Sequence, residues 1–488
     1  LIIPSNTDVD FQNATIKAAP TSSSRYYLIC VFEDNIFLKN GFFIGDVGTH
    51  TGSGGEWGYG VIVAGAKNVI LDNIYCTLFW GDGIIITRKL VNGNTVLPEN
   101  ILLRNCTSYD NRRQGLSVIC GKKLRLYNSK FIKTGQTAMT NPGAGIDFEQ
   151  DDSLTEIIDD VVIDGCEISG SRGLVIWDML TISNVRTTNI LVKDTVISGT
   201  SQVMVKEGAN LHYINCSFLT GYVQYYDGDV TFDDCTFKGQ WFITAESGHL
   251  PRECTANFNY CTFNLSIFYT ANYVFSSCKS NGLKTINFVG CTFDVNSTRS
   301  TMFQYSSSRY YLVNEDSSYL DNIKMRLQNC TFQCSSDIKE FSSFNWYIWA
   351  SEAILGCTIN DCRRITLYRR AITESSPKYS FKVKENTIRF ICRQATASYF
   401  NFAGDVEPGG ASPTFPSGSS AQTLRDFVIT DNIFFFNINE ALLWTNPGGS
   451  SPMNMTFTRN LSIGKIITED TLGEYFNILG DLVQTHNN

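Results

Sequence analysis

Asp147 and Glu149 stand two residues apart in the stretch Ala144-Gly145-Ile146-Asp147-Phe148-Glu149. If that stretch is a strand, both carboxyls point to one side, with Cα atoms roughly 6.7 Å apart. Two acids so placed can divide the work of opening a glycosidic bond. One, kept protonated, gives its proton to the leaving oxygen, while the other, ionised, activates water or attacks. Asp147 and Glu149 are therefore the expected catalytic pair. Further along, Gly173-Leu174-Val175-Ile176-Trp177-Asp178 and Val203-Met204-Val205-Lys206 bring an aromatic, a third acid and a cation towards them. Three clusters precede the pair: Gly55-Glu56-Trp57-Gly58-Tyr59-Gly60, Trp80-Gly81-Asp82-Gly83 and Asn111-Arg112-Arg113-Gln114-Gly115. From these, Glu56, Trp57, Asp82, Arg112, Arg113, Trp177, Asp178 and Lys206 are expected to line a groove, binding sugar hydroxyls or an acidic sugar.

A plainer reading stands beside each of these. An Asp-x-Glu pair on a strand is most often a solvated face, Gly-Asp-Gly is most often only a turn, and Arg112 or Arg113 can simply pair with Asp82. The positions flanking the pair tip the balance. Ile85, Ile119, Val175 and Met204 share its outward parity, so this face is covered by a loop or by a ligand.

The elements that must hold these residues emerge as repeats. A short phrase recurs: apolar alternation, then Asn, Asp or Gly, then Cys or a substitute, then Thr or Ser. Ile101-Leu102-Leu103-Arg104-Asn105-Cys106 and Val161-Val162-Ile163-Asp164-Gly165-Cys166 are two copies. The equivalent positions 106, 129, 166, 195, 216 and 235 are separated by 23, 37, 29, 21 and 19 residues. Period-two alternation marks strands with one buried face, and the Asn or Gly suits a left-handed bend between two strands. A second column aligns on Gly83, Gly115, Gly145 and Gly173, spaced 32, 30 and 28 residues apart. Here 84, 116, 146, 174 and 203 stack inside, as do 86, 118, 148, 176 and 205, which turns Asp147 and Glu149 outward.

Stacking such units gives an all-β chain, a right-handed parallel β-helix or solenoid. A propeller would repeat at a longer period with blade signatures. The expected organisation is N-terminal strands and a cap over 1–40, the parallel β-helix over 41–405, and C-terminal coils with a capping region over 406–488. Within the last, 407–420 reads as a Pro/Gly/Ser loop, while Leu472, Tyr475, Phe476, Leu479, Leu482 and Val483 have the spacing of a short capping helix.

Composition narrows the function. Charged residues are 18% of the 488, and the formal net charge is −8, the wrong footprint for nucleic acid. No apolar run is long enough to span a membrane. The start has no signal-peptide pattern and reads as if cut from a longer chain. Sixteen cysteines suggest bridges at first sight, but many occupy one recurrent position, as a column of small buried thiols would.

The clusters at 55–60, 80–83, 112–117 and 144–149, in this order, resemble the pectate-lyase-like β-helix proteins, and among them bacteriophage tailspike depolymerases. The likeness covers about 40–180. It implies a homotrimer on the virion, attached to the phage tail through a missing N-terminal region, that hydrolyses or eliminates a bacterial surface polysaccharide (capsule, O-antigen or exopolysaccharide), of which the paired carboxylates favour hydrolysis. The Asp cluster and Arg base of calcium-dependent lyases are not evident, so no metal and no cofactor is expected. Elimination by a lyase, with Lys206 or an Arg as base, and binding without cleavage by an adhesin are the competing readings.

Overall fold

A computed structural model of the chain describes residues 1–150, 155–170, 172–178, 187–199 and 203–243, and strand segments between 254 and 485. Strand pairing is parallel almost throughout. The exception among the described strands is a small hairpin, Lys89–Val91 with Asn94–Val96. The chain divides into two compact units, Leu1–Gly239 with Glu246–Leu250, and Gln240–Ala245 with Pro251–Asn488.

In the first unit each rung pairs with the rung one turn later. Ile36–Ile44 pairs with Lys67–Thr77, which pairs with Glu99–Arg104, then Gly121–Tyr127, Ile158–Asp164 and Thr187–Lys193. Pairing that always advances one turn in the same direction defines a parallel β-helix. The bends between strands fall where the sequence places Asn, Asp or Gly. Asn73, Asn105, Asn128, Asp194 and Asn215 have φ between 48° and 54°, a region other residues enter only at a cost. Their side chains also bond between turns: Asn105 Nδ2 donates to Asp72 at 3.1 Å and Asn215 Nδ2 to Asp194 at 2.6 Å.

The core is a set of inward stacks. Cys106, Cys166, Cys216 and Cys235 are buried with free thiols, as are the other cysteines whose side chains the structure describes. Each of these four thiols donates to a backbone carbonyl, as Cys106 does to Leu71 O at 3.3 Å. At Ser129 and Thr195, which replace Cys in the column, a hydroxyl accepts from the backbone N–H of Cys106 and Cys166.

The glycine column has the register its alignment predicts. Leu116 pairs with Ile84 and Ile146, Val118 with Ile86 and Phe148, and Ile146 and Phe148 with Leu174 and Ile176.

In the second unit, Cys254–Asn259 pairs in parallel with Lys284–Val289, which pairs in parallel with Ile323–Gln328. Phe263, Phe293 and Phe332 stack face to face inside, with ring centroids 5.0 and 4.7 Å apart. The helix expected near the end is corrected. Phe476–Ile478 is a strand paired with Met453–Thr458, and Gln484–Thr485 pairs with Leu461–Ile463. A paired rung satisfies the backbone through its neighbour, and that outweighs a helical spacing of side chains. The loop expected at 407–420 lies outside the described residues.

Candidate active site

The site lies in the first unit, where the turns entering four successive rungs of the glycine column meet. Glu56 precedes the strand Trp57–Ala64, Asp82 precedes Ile84–Thr87, Arg113 and Gln114 precede Leu116–Val118, and Asp147 and Glu149 lie within Ala144–Gln150. Close approach of these turns depends on glycine at two points. A Cβ on Gly81 would sit 2.2 Å from the Glu56 carbonyl, and one on Gly55, whose φ is +90°, would sit 2.2 Å from Ser24 Cβ. The turn carrying Arg112 to Gln114 is fixed from beneath by buried amides and hydroxyls. Asn111 accepts from Phe79 N at 3.0 Å and donates to Ser108, which donates to Gly115 O at 2.7 Å.

Arg113 is the hub. Its Nε lies 3.3 Å from Glu56 Oε2, its Nη1 3.5 Å from Asp82 Oδ2 and its Nη2 3.4 Å from Glu149 Oε2. Burial alone would lower its proton affinity, but Asp82, Glu149, Asp147 and Glu56 together outweigh burial and raise it. Arg113 therefore stays a cation and is a poor base.

One guanidinium cannot neutralise four carboxylates, and burial decides which acids keep their protons. Asp147 is wholly buried. Gln114 Nε2 donates to its Oδ2 at 2.6 Å. Burial first, then the neighbouring charge of Glu149, raise it well above the usual carboxylate range, Arg113 opposing. Asp82 is also wholly buried and is pushed up to about 7, mainly by burial, with Arg113 opposing and Glu149 and Glu56 adding to the rise. The two acids that solvent reaches are Glu149, with 15% of its side chain exposed, and Glu56, with 42%.

These positions correct two expectations. Asp147 has the predicted outward parity but is not on an open face, because Gln114 and Arg113 reach over it from the preceding turn. Arg112 is not free for a glycan. Its Nη1 donates to Gly55 O at 2.9 Å and Trp80 O at 3.1 Å, and its guanidinium carbon lies 4.0 Å from the centre of the Trp80 ring. His50 also stacks on Trp80, at 3.8 Å, so both faces of that indole are covered. Trp57 remains 42% exposed at the mouth of the groove. Glu149 pairs in register with Trp177 and Gln150 with Asp178, and Lys206 lies on the next strand, Val203–Ile214. The side chains of Trp177, Asp178 and Lys206 are outside the described residues.

Sequence reasoning overlooked Gln114, the donor to Asp147, although it sits inside a quoted cluster. It precedes its strand, where the inward–outward parity of the column no longer applies. Arg25, from the rung before Trp57, was missed because no repeat includes it. Among the described residues no group of three or more His, Cys, Asp or Glu is arranged to hold a metal ion.

A β-helix with a buried carboxylate–arginine cluster at its turn edge is what the fold and site define. Residues 1–162 match the family model described as "Right handed beta helix region". Over 159 residues the chain is 30% identical to the uncharacterized protein YclG of Bacillus subtilis (strain 168), covering 30% of this chain and 27% of that protein. The chain thus spans about a quarter of the length of this curated relative. Among solved structures, the tailspike protein gp49 of Pseudomonas phage LKA1 is similar with a TM-score of 0.39 and 11% identity over 67% of this chain and 50% of that one. A mutant of the PL6 family alginate lyase AlyGC is similar with a TM-score of 0.27 and 8% identity over 92% and 82%. Neither likeness is close enough to bear on chemistry.

Proposed function

We propose that the chain cleaves a bacterial surface polysaccharide by glycosidic hydrolysis at the Glu56–Arg113–Glu149 cluster. The observation that carries this is the set of acids around one guanidinium, with Glu56, Asp82 and Glu149 within 3.5 Å of Arg113 and Asp147 wholly buried beside solvent-reached Glu149. Hydrolysis requires one acid form and one base form at the same pH, and such a cluster supplies both. Glu149 acts as the general acid towards the leaving oxygen, and Asp147, buried beside it, acts as a positioning residue behind it. Glu56, across Arg113, activates the water. Arg113 fixes both carboxylates and stabilises charge that develops between them. Elimination would need a base of lowered proton affinity, and Arg113 is shifted the other way.

The setting proposed is that of a phage tailspike: a homotrimer carried on the virion tail, acting outside the host cell on its capsule, O-antigen or exopolysaccharide. A panel of bacterial surface polysaccharides tests the reading. The wild-type chain should release reducing ends from at least one of them, and Glu149→Gln should not. Binding without release by the wild type would make the protein an adhesin. Unsaturated uronic ends would make it a lyase.

A further inference from the structure

The three arginines near the groove are in different states. Arg112 is committed to two carbonyls and the Trp80 ring, and Arg113 to three carboxylates. Arg25 is exposed, and among the described residues no carboxylate lies within ion-pair distance of it. It starts the strand Arg25–Val31 and pairs in register with Trp57, its guanidinium carbon 5.0 Å from the centre of that ring. Glu56, the acid next to Trp57 in sequence, is paired with Arg113. Two residues along the same rungs, Tyr27 stacks on Tyr59 with centroids 5.7 Å apart and planes 9° from parallel, which extends the aromatic surface.

Beside Trp57 opens a groove of about 610 Å³ walled by Ser22, Ser24, Ser53 and Glu56, with glycines at 52, 54 and 55. A chain of net charge −8 that leaves a cation unpaired beside an exposed indole, at the edge of a hydroxyl-lined groove, has local complementarity to an anion on an apolar ring. The groove's size is that of a small-ligand site. From these observations we infer that Arg25, Trp57 and the serine-lined groove form a subsite for an acidic sugar residue of the polysaccharide, adjacent to Glu56. The ring of that residue lies on the exposed part of Trp57 and its carboxylate meets Arg25, whose planar donors suit a carboxylate. Serine hydroxyls take the sugar hydroxyls. The inference rests on the groove being a glycan site, as proposed above, but it concerns binding and specificity, not cleavage.

Its test uses the full chain carrying Glu149→Gln, probed against immobilised bacterial polysaccharides of known composition. Every polymer bound should contain an acidic sugar. Reducing the carboxyl groups of a bound polymer to alcohols should weaken binding at least about tenfold. Arg25→Gln added to the same chain should do the same and flatten the dependence on salt, because one screened charge pair is gone. Arg25→Lys, which keeps the charge, should recover part of the loss, and an unchanged melting temperature should show that the Gln variant is folded. Binding to a neutral polymer, equal binding before and after carboxyl reduction, an Arg25→Gln chain that binds as well as its parent, or no binding across the set would each overturn the subsite. The outcomes separate from those of the cleavage reading. Arg25-dependent capture of an acidic glycan that the wild type leaves intact upholds the subsite and removes the enzyme. Hydrolysis of a neutral glycan does the reverse.

Discussion

Asp82→Asn isolates the cost of keeping a charge buried in this cluster. Asp82 is wholly buried, and its carboxyl is pushed from an ordinary 3.8 up to about 7. Below pH 4 it is protonated in both the folded and the unfolded chain and contributes no pH dependence. Between about pH 4 and pH 7 the unfolded chain releases the proton while the folded chain retains it, so stability falls as pH rises. Above pH 7 the loss is complete. With about 1.4 kcal/mol per pKa unit, a shift of roughly three units corresponds to about 4 kcal/mol. The Asn amide has the shape of the protonated acid and never ionises. The variant should therefore match the wild type near pH 4 and exceed it by about 2–4 kcal/mol at pH 8. In a unit of this size that is roughly 4–16 °C in melting temperature. Thermal unfolding of both proteins, followed by tryptophan fluorescence from pH 4 to pH 9, gives the difference directly and cancels the titrating groups outside the cluster. If the variant is less stable than the wild type at pH 8, ionised Asp82 is held by Arg113 and is a net stabiliser, and burial does not govern the protons of the cluster.

Three further outcomes are expected. Glu149→Gln should reduce cleavage by at least about 10²-fold, the scale of losing a general acid, whereas Asp147→Asn should lose about tenfold while holding or gaining stability at pH 8; full activity in both variants, measured by reducing-end release, would move the chemistry elsewhere. Reductant should leave the melting temperature unchanged, native thiol titration should be low, and titration after unfolding should approach all 16 cysteines; a large loss of stability with reductant would mean bridged cysteines. Light scattering should give a mass near three times 54.6 kDa, and a single-chain mass at micromolar concentration would contradict the trimer.

The fold was legible because a solenoid repeats its local chemistry. Asn105, Asn128 and Asn215 take left-handed backbone at the bends the phrase marks, and aligning four glycines placed Leu116, Ile146 and Leu174 on one inward line. The same alternation put Asp147 and Glu149 together. It did not reveal that Asp147 is buried, because what covers it comes from the corner before the strand. Gln114 and Arg113 reach it through their own side-chain length, a feature with no period. The commitment of Arg112 was equally hidden. Its partners are the backbone carbonyls of Gly55 and Trp80, which every residue carries and no sequence pattern marks. The end of the chain failed for the opposite reason. Spacing at 472–483 suggested a helix, but Phe476–Ile478 has a neighbouring rung to pair with, and that opportunity is invisible to a local pattern.

Hydrolysis of a glycosidic bond by paired acids across Arg113 is tested most directly by digesting a susceptible polysaccharide in heavy-oxygen water and weighing the fragments. Hydrolysis transfers one solvent oxygen to each cleaved bond, so at early times each new reducing end should carry one heavy oxygen, each new non-reducing end none, and no ultraviolet-absorbing double bond should form. Fragments without the label that absorb in the near ultraviolet would show elimination, and would contradict Glu149 as proton donor, Glu56 as activator of water and Arg113 as the cation between them.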